Sequence, residues 1–118
     1  MSAWPTEIRL LKDRRTLVVS FDDGQAWSLP AEYLRVESPS AEVQGHNPSE
    51  KRTVPGKKLV RIERVDPVGN YAVRLVFDDG HSSGIYTWGE LERLGHDQEQ
   101  IWGAYLVALE KAGLSRER

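Results

Sequence analysis

The chain has 118 residues, a hydrophobic share of 39%, a charged share of 29% and a net charge of −2. That suffices for one soluble globular domain with a single core and is marginal for two. The near-balance of charge gives no general electrostatic reason to bind nucleic acid or an anionic membrane, and the absence of cysteine rules out disulfides, thiolate zinc sites, protein-ligated iron–sulfur clusters and thiol nucleophiles.

The opening "MSAWPTEIRL" lacks the basic start and apolar core of a signal peptide, and no later run approaches the roughly 18–20 apolar residues of a membrane span. Asn47-Pro48-Ser49 has proline where a glycosylation site forbids it. A cytoplasmic address is the expectation. "TEIRLLK" at Thr6–Lys12 leads into "TLVVSF", where Leu17, Val19 and Phe21 fall on one face of a period-2 strand. Asp23-Gly24 supplies a turn, Gln25–Leu29 a return strand, and Pro30 opens a short helix through "AEYLRV". Residues 37–58 read as a long loop with one weak edge strand around Ala41–Gln44. About twenty irregular residues in a compact domain point to function or mobility. The basic cluster Lys51, Arg52, Lys57, Lys58 and Arg61 has no interleaved aromatics and reads as a solvated loop rather than a nucleic-acid contact.

The strand pattern returns in "LVRIERV", bounded by Asp66-Pro67, and Gly69-Asn70 turns into "YAVRLVF", where Tyr71, Val73, Leu75 and Phe77 share a face. Asp79-Gly80 turns into "HSSGIY". Thr87 with Glu90 forms a capping box that starts the helix "WGELERL", and Gly95 ends it. Asp97 with Gln100 forms another, opening "QEQIWGAYLVALEKAG" with a stripe at Ile101, Trp102, Tyr105, Leu106 and Leu109. Gly113 closes this helix, and the charged tail 114–118 is expected to fray. The chain is thus read as a single domain over 1–118, with its core at about 6–112.

Phe-Asp-Asp-Gly is therefore written twice, at Phe21–Gly24 and Phe77–Gly80. Each copy ends an alternating strand and precedes a return strand that feeds a helix. Turn chemistry accounts for this better than a pair of catalytic carboxylates, because neighbouring residues of a strand–turn segment point apart and hairpin tips face water. Other chemistry has little support. Ser20, Ser28, Ser82 and Ser83 lack a nucleophile elbow, and Gly56-Lys57-Lys58 lacks the spacing of a phosphate loop. His46 and His81 have no acid two residues later, so the usual iron facial triad is not written. His81 is read as structural or surface-lying rather than as a ligand.

The segments "LVVSFDDG", "LPAEYLRVESPSAEV" and "NYAVRLVFDDGHSSGIYTWGELERL" resemble the gamma-butyrobetaine hydroxylase-like N-terminal domain family, a domain of unknown function, here in its stand-alone bacterial form. The resemblance runs from about Thr6 to Leu94. It implies a two-layer α+β domain found alone in bacteria, ahead of iron/2-oxoglutarate hydroxylase domains, and fused to iron–sulfur carrier ATPases. The oxygenase members carry a structural zinc on three cysteines and the histidine of Asp-Gly-His. Those positions correspond here to Ser38, Ser40, Val43 and His81, so a structural zinc is not expected. These 118 residues leave no room for the oxygenase domain, and hydroxylase activity is expected to belong to relatives.

The expectation is an α+β two-layer sandwich: one mainly antiparallel twisted sheet of five or six strands, with the helices on one face. Its predicted core is Leu17, Val19, Phe21, Ile62, Val73, Leu75, Phe77, Ile85, Leu91, Leu94, Trp102, Tyr105, Leu106 and Leu109. The favoured function is a non-enzymatic accessory or binding module linked to iron enzymes or iron–sulfur carriers. It would meet a protein partner around His81, Tyr86 and Trp88. Trp88 reads equally as a core residue at a helix start. The alternative is a metal-binding protein, holding iron or another divalent ion through His81 with Asp78 or Asp79.

Overall fold

A computed structural model describes residues 4–117; Met1–Ala3 and the last tail residue, Arg118, lie outside the described residues. The strands are β1 (Pro5–Leu10), β2 (Thr16–Phe21), β3 (Ala26–Pro30), β4 (Ile62–Val68), β5 (Ala72–Phe77) and β6 (Gly84–Thr87). The helices are α1 (Ala31–Val36), α2 (Ala41–Gln44), α3 (Trp88–His96) and α4 (Gln98–Ala112). All strand pairing is antiparallel, and the fold is α+β as expected.

The strands form two three-stranded sheets, β1-β2-β3 and β4-β5-β6, rather than the single sheet expected. After β3 the chain turns into α1 and the long connection, so β4 does not return to the first sheet's edge. One backbone bond from Ile62 N–H to the Arg14 carbonyl, at 2.7 Å, links the two halves. Helix α3 packs against both β3 and β6, and one core joins the sheets: Leu17, Val19, Phe21 and Leu29 meet Ile62, Leu75, Phe77 and Tyr86 over Leu34, Leu91 and Leu94. A smaller cluster under α4 joins Val36, Tyr105 and Leu109 to Val54 and Trp102.

Several boundaries differ from the sequence reading. Residues 41–44 are helix rather than edge strand, because the Ser40 hydroxyl accepts the Glu42 N–H and caps a turn of α-helix. Pro67 lies inside β4, which is tolerated because β4 is an edge strand. Gly95 does not end α3, which continues to His96, and the Asp97 side chain bonds the His96 ring instead of capping α4. Gly113 closes α4 in the left-handed region, as expected. Ile85 and Leu106, both predicted core, are 43% and 39% exposed. On β6 it is Tyr86 that turns inward, and on α4 the buried stripe is Tyr105 and Leu109. Tyr71 precedes β5 and is exposed, while Trp102 is only partly buried. The tail expected to fray is tied down: the Gly56 and Lys58 N–H groups donate to the Ser115 and Arg116 carbonyls at 2.9 and 3.1 Å.

Candidate functional site

Both Asp-Gly turns are wired alike. In the first, the Phe21 N–H donates to the Gln25 carbonyl, the Gly24 N–H to the Phe21 carbonyl, and Asp23 Oδ1 accepts the Gln25 N–H at 3.0 Å. In the second, Phe77, His81, Gly80 and Asp79 repeat these bonds, with Asp79 Oδ1 accepting the His81 N–H at 3.0 Å. Gly24 and Gly80 hold φ of 88° and 94°, where a glycine is needed. The paired acids are turn devices, and the two copies differ in chemistry at the residue after the glycine: Gln25 in one, His81 in the other.

His81 sits in a polar cluster assembled from residues distant in sequence. Its Nε2 lies 2.9 Å from Ser38 Oγ, and its Nδ1 lies 3.3 Å from Glu42 Oε1. Ser38 Oγ also accepts the Ser40 N–H, while Ser40 Oγ and Ser83 Oγ are 2.7 Å apart and Ser83 donates to Glu42 Oε2. The ionised Glu42 carboxylate can only accept, so Nδ1–H donates to it, and the Nε2 of a neutral ring then accepts the Ser38 hydroxyl proton. A neutral ring fits this pattern. Burial, with the Arg35 cation next, lowers the His81 pKa against the opposing pull of Glu42, whose side chain is exposed and screened by water. The Ser83 hydroxyl and the His81 ring hold the Glu42 carboxyl below its usual range, against a smaller opposing effect of desolvation. At Asp79 burial pushes the carboxyl up, but Lys57, the His81 N–H and Arg35 outweigh it and bring it down to about 2. Both Arg35 Nε and Lys57 Nζ lie 2.7 Å from Asp79 Oδ2.

The order Ser38–His81–Glu42 resembles the hydrogen-bond relay of a serine hydrolase, but a nucleophile must reach its substrate. Ser38 is 0% exposed and His81 6%. Gly84 closes over them: a Cβ there would fall 2.5 Å from Ser38 Oγ and 3.1 Å from the Tyr86 ring. The cluster instead fastens the start of the long connection and α2 to the second sheet.

The residues do not fit a zinc ion. Ser38 and Ser40 offer hydroxyls already engaged with polar partners, Val43 is a buried hydrocarbon, and the Arg35 cation opposes a dication beside the ring. Among the described residues, no group of three histidine or acidic side chains converges to hold a metal. Asp79 is committed to Arg35 and Lys57, and Asp78 Oδ1 accepts the Arg61 N–H.

The aromatic anchors predicted beside His81 also turn inward. Tyr86 is fully buried, with its hydroxyl donating to the Leu34 carbonyl, and Trp88 is half-buried with its ring N–H donating to the Asn70 carbonyl at 2.9 Å. Tyr86 and His81 are closed off from solvent, while Trp88 keeps part of its ring exposed. Three members of the basic cluster are ion-paired: Lys51 with Glu37, Lys57 with Asp79 and Lys58 with Glu117.

An open concavity lies elsewhere. A cleft of about 650 Å³ separates the start of α1 from the α3–α4 junction, lined by Glu32, Tyr33, Gly95, His96, Trp102 and Arg116 among others. Tyr33 and Trp102 meet edge to face at 6.1 Å, and the Arg116 guanidinium lies 5.3 Å from the centre of the Trp102 ring. Sequence reading missed this cleft. Trp102 was assigned wholly to the core, and nothing local joins residues 32 and 116.

No curated protein matches the chain. Two solution NMR structures resemble it at 45% and 47% identity, both with a TM-score of 0.84. The first alignment covers 99% of this chain and 92% of the other, the second 98% and 86%. A crystal structure of a protein of unknown function of the DUF971 family, from Acidithiobacillus ferrooxidans ATCC 23270, matches at 44% identity and a TM-score of 0.64, covering 77% of this chain and 91% of that one. The family described as gamma-butyrobetaine hydroxylase-like, N-terminal, matches residues 8–92. That span takes in both Asp-Gly turns and the Ser38–His81 cluster, and this chain belongs to that family.

Proposed function

We propose that the chain is a non-catalytic binding module that serves a protein partner beside iron enzymes or iron–sulfur carriers in the cytoplasm. The observation that carries the reading is the closure of the family's motif region. Ser38, His81 and Tyr86 spend their polar atoms on one another, on the Glu42 carboxylate and on the backbone, and all three are buried. Chemistry on a diffusible substrate needs accessible groups, whereas an accessory module needs a braced scaffold with an open surface. Immobilised full-length chain, exposed to lysates from iron-replete and iron-starved bacteria, tests this. One saturable protein partner, recovered reproducibly and competed by free chain, supports the reading; recovery of no specific partner under any iron condition overturns it.

A further inference from the structure

One wall of the cleft beside Trp102 is an arginine from the chain's own tail. Arg116 Nε and Nη2 donate to the two oxygens of Glu32, each at 2.7 Å, in a parallel fork. That geometry selects a guanidinium over an ammonium. The face of Trp102 lies against the same group, and Tyr33 and Tyr105 flank Trp102. Carboxylate plus aromatic faces is the composition of a cation-recognition pocket. The burial is unequal: the Glu32 side chain is 8% exposed and that of Arg116 37%. The acid is built into the floor by α1, and the arginine arrives from outside.

The backbone beside the arginine is held as well: the Gly56 and Lys58 N–H groups donate to the Ser115 and Arg116 carbonyls at 2.9 and 3.1 Å, from the long connection behind the cleft.

We infer that this cleft is a docking site for an arginine-bearing segment of a partner protein, and that Arg116 occupies its arginine seat on Glu32 and Trp102 in cis. This rests on the binding-module reading and names the partner's chemistry. Arg116 stands only a few residues beyond the end of α4. A short tether of that kind gives an effective concentration on the order of millimolar, so a partner must displace a strong internal competitor.

The test uses the full chain and the peptide Leu-Ser-Arg-Glu-Arg, followed by amide and indole NMR shifts. In Arg116→Glu the tail is repelled by Glu32, and the peptide is expected to bind at least tenfold more tightly than to the unsubstituted chain. The Trp102 indole and the Gly56 and Lys58 amides should move together. The same peptide with both arginines replaced by lysine should lose most of that binding. Arg116→Ala gives the same comparison without an added charge, should Arg116→Glu fail to fold. Equal binding of the two peptides, or no shift at Trp102, overturns the inference. A concentration-dependent dimer of either variant also overturns it, since it would assign the cleft to tail exchange between copies. A partner captured from lysate equally well by Glu32→Gln would remove the cleft as its seat while leaving the binding-module reading standing.

Discussion

Arg61 and Asp78 hold each other twice: the Asp78 N–H donates to the Arg61 carbonyl at 2.9 Å, and Asp78 Oδ1 accepts the Arg61 N–H at 3.0 Å. Asp22 and Trp4 do the same in the first half, at 2.8 and 3.2 Å. The first aspartate of each Phe-Asp-Asp-Gly thus fastens the outer strand to the hairpin, the second fastens the turn, and the glycine supplies the positive φ.

Replacement of either glycine should therefore cost more than loss of the acid's charge. Gly24→Val and Gly80→Val are expected to destabilise by about 1–3 kcal/mol through backbone strain, since a Cβ at either site meets open space and no clash contributes. Asp22→Asn and Asp78→Asn keep the oxygen that accepts the N–H and should stay within about 0.5 kcal/mol. Thermal melts of the four variants check the order.

Three other glycines separate packing from conformation. Gly84→Ala would press on Ser38 Oγ and the Tyr86 ring, and Gly95→Ala would run into the Trp27 ring. Each should cost about 1–3 kcal/mol. Gly103 lies inside α4 with nothing within 4 Å of a built Cβ, so Gly103→Ala should stabilise by about 0.5–1 kcal/mol. Urea unfolding midpoints of the three decide the matter.

His81 predicts a pH dependence with a definite sign. Its folded pKa lies below the ordinary 6.5, so between the two values the unfolded chain binds more protons. The stability that neutral His81 confers is complete above about pH 6.5 and is lost as pH falls below it. Asp79, at about 2, contributes stability that persists until pH falls below the ordinary 3.8. Urea midpoints between pH 7.5 and 5 should decline in the unsubstituted chain and decline less steeply in His81→Gln.

Arg116 contributes to stability as well as lining the cleft. Arg116→Ala leaves the buried Glu32 carboxylate without its fork, and because Arg116 is over one-third exposed the cost should be about 1–2 kcal/mol. Amide exchange at Gly56 and Lys58 should accelerate together in this variant. Unchanged protection at both would show that the tail pairs independently of its arginine.

What could be read from the sequence follows the range of each interaction. The two Asp-Gly turns and the Gly113 stop are set within a few residues and stood as read, and Thr87 caps α3, but the Glu90 carboxylate pairs with Arg93 instead of completing the expected capping box. The Ser40 cap was equally local, but the alternation in "AEVQ" masked it. Ile85 was misplaced because a period of two gives two faces without saying which is inner; the bulk of Tyr86 decides that. Ser38 and His81 stand 43 residues apart, and family resemblance, not spacing, put them at one site. Glu42, Ser83 and Arg35 complete that cluster with no local sign in the chain.

Every ladder joins strands that are consecutive in the chain, across the short connections 11–15, 22–25, 69–71 and 78–83. Closing such loops costs little entropy, and isolated hairpins form on the order of 1–10 μs. The late event in folding is then the meeting of the halves, where α3 comes down on β3 and Ile62 reaches Arg14. In a chevron plot, a substitution at the Trp27–Gly95 contact should leave the folding limb nearly unchanged and raise the unfolding limb, whereas strain introduced at Gly24 or Gly80 should slow folding itself.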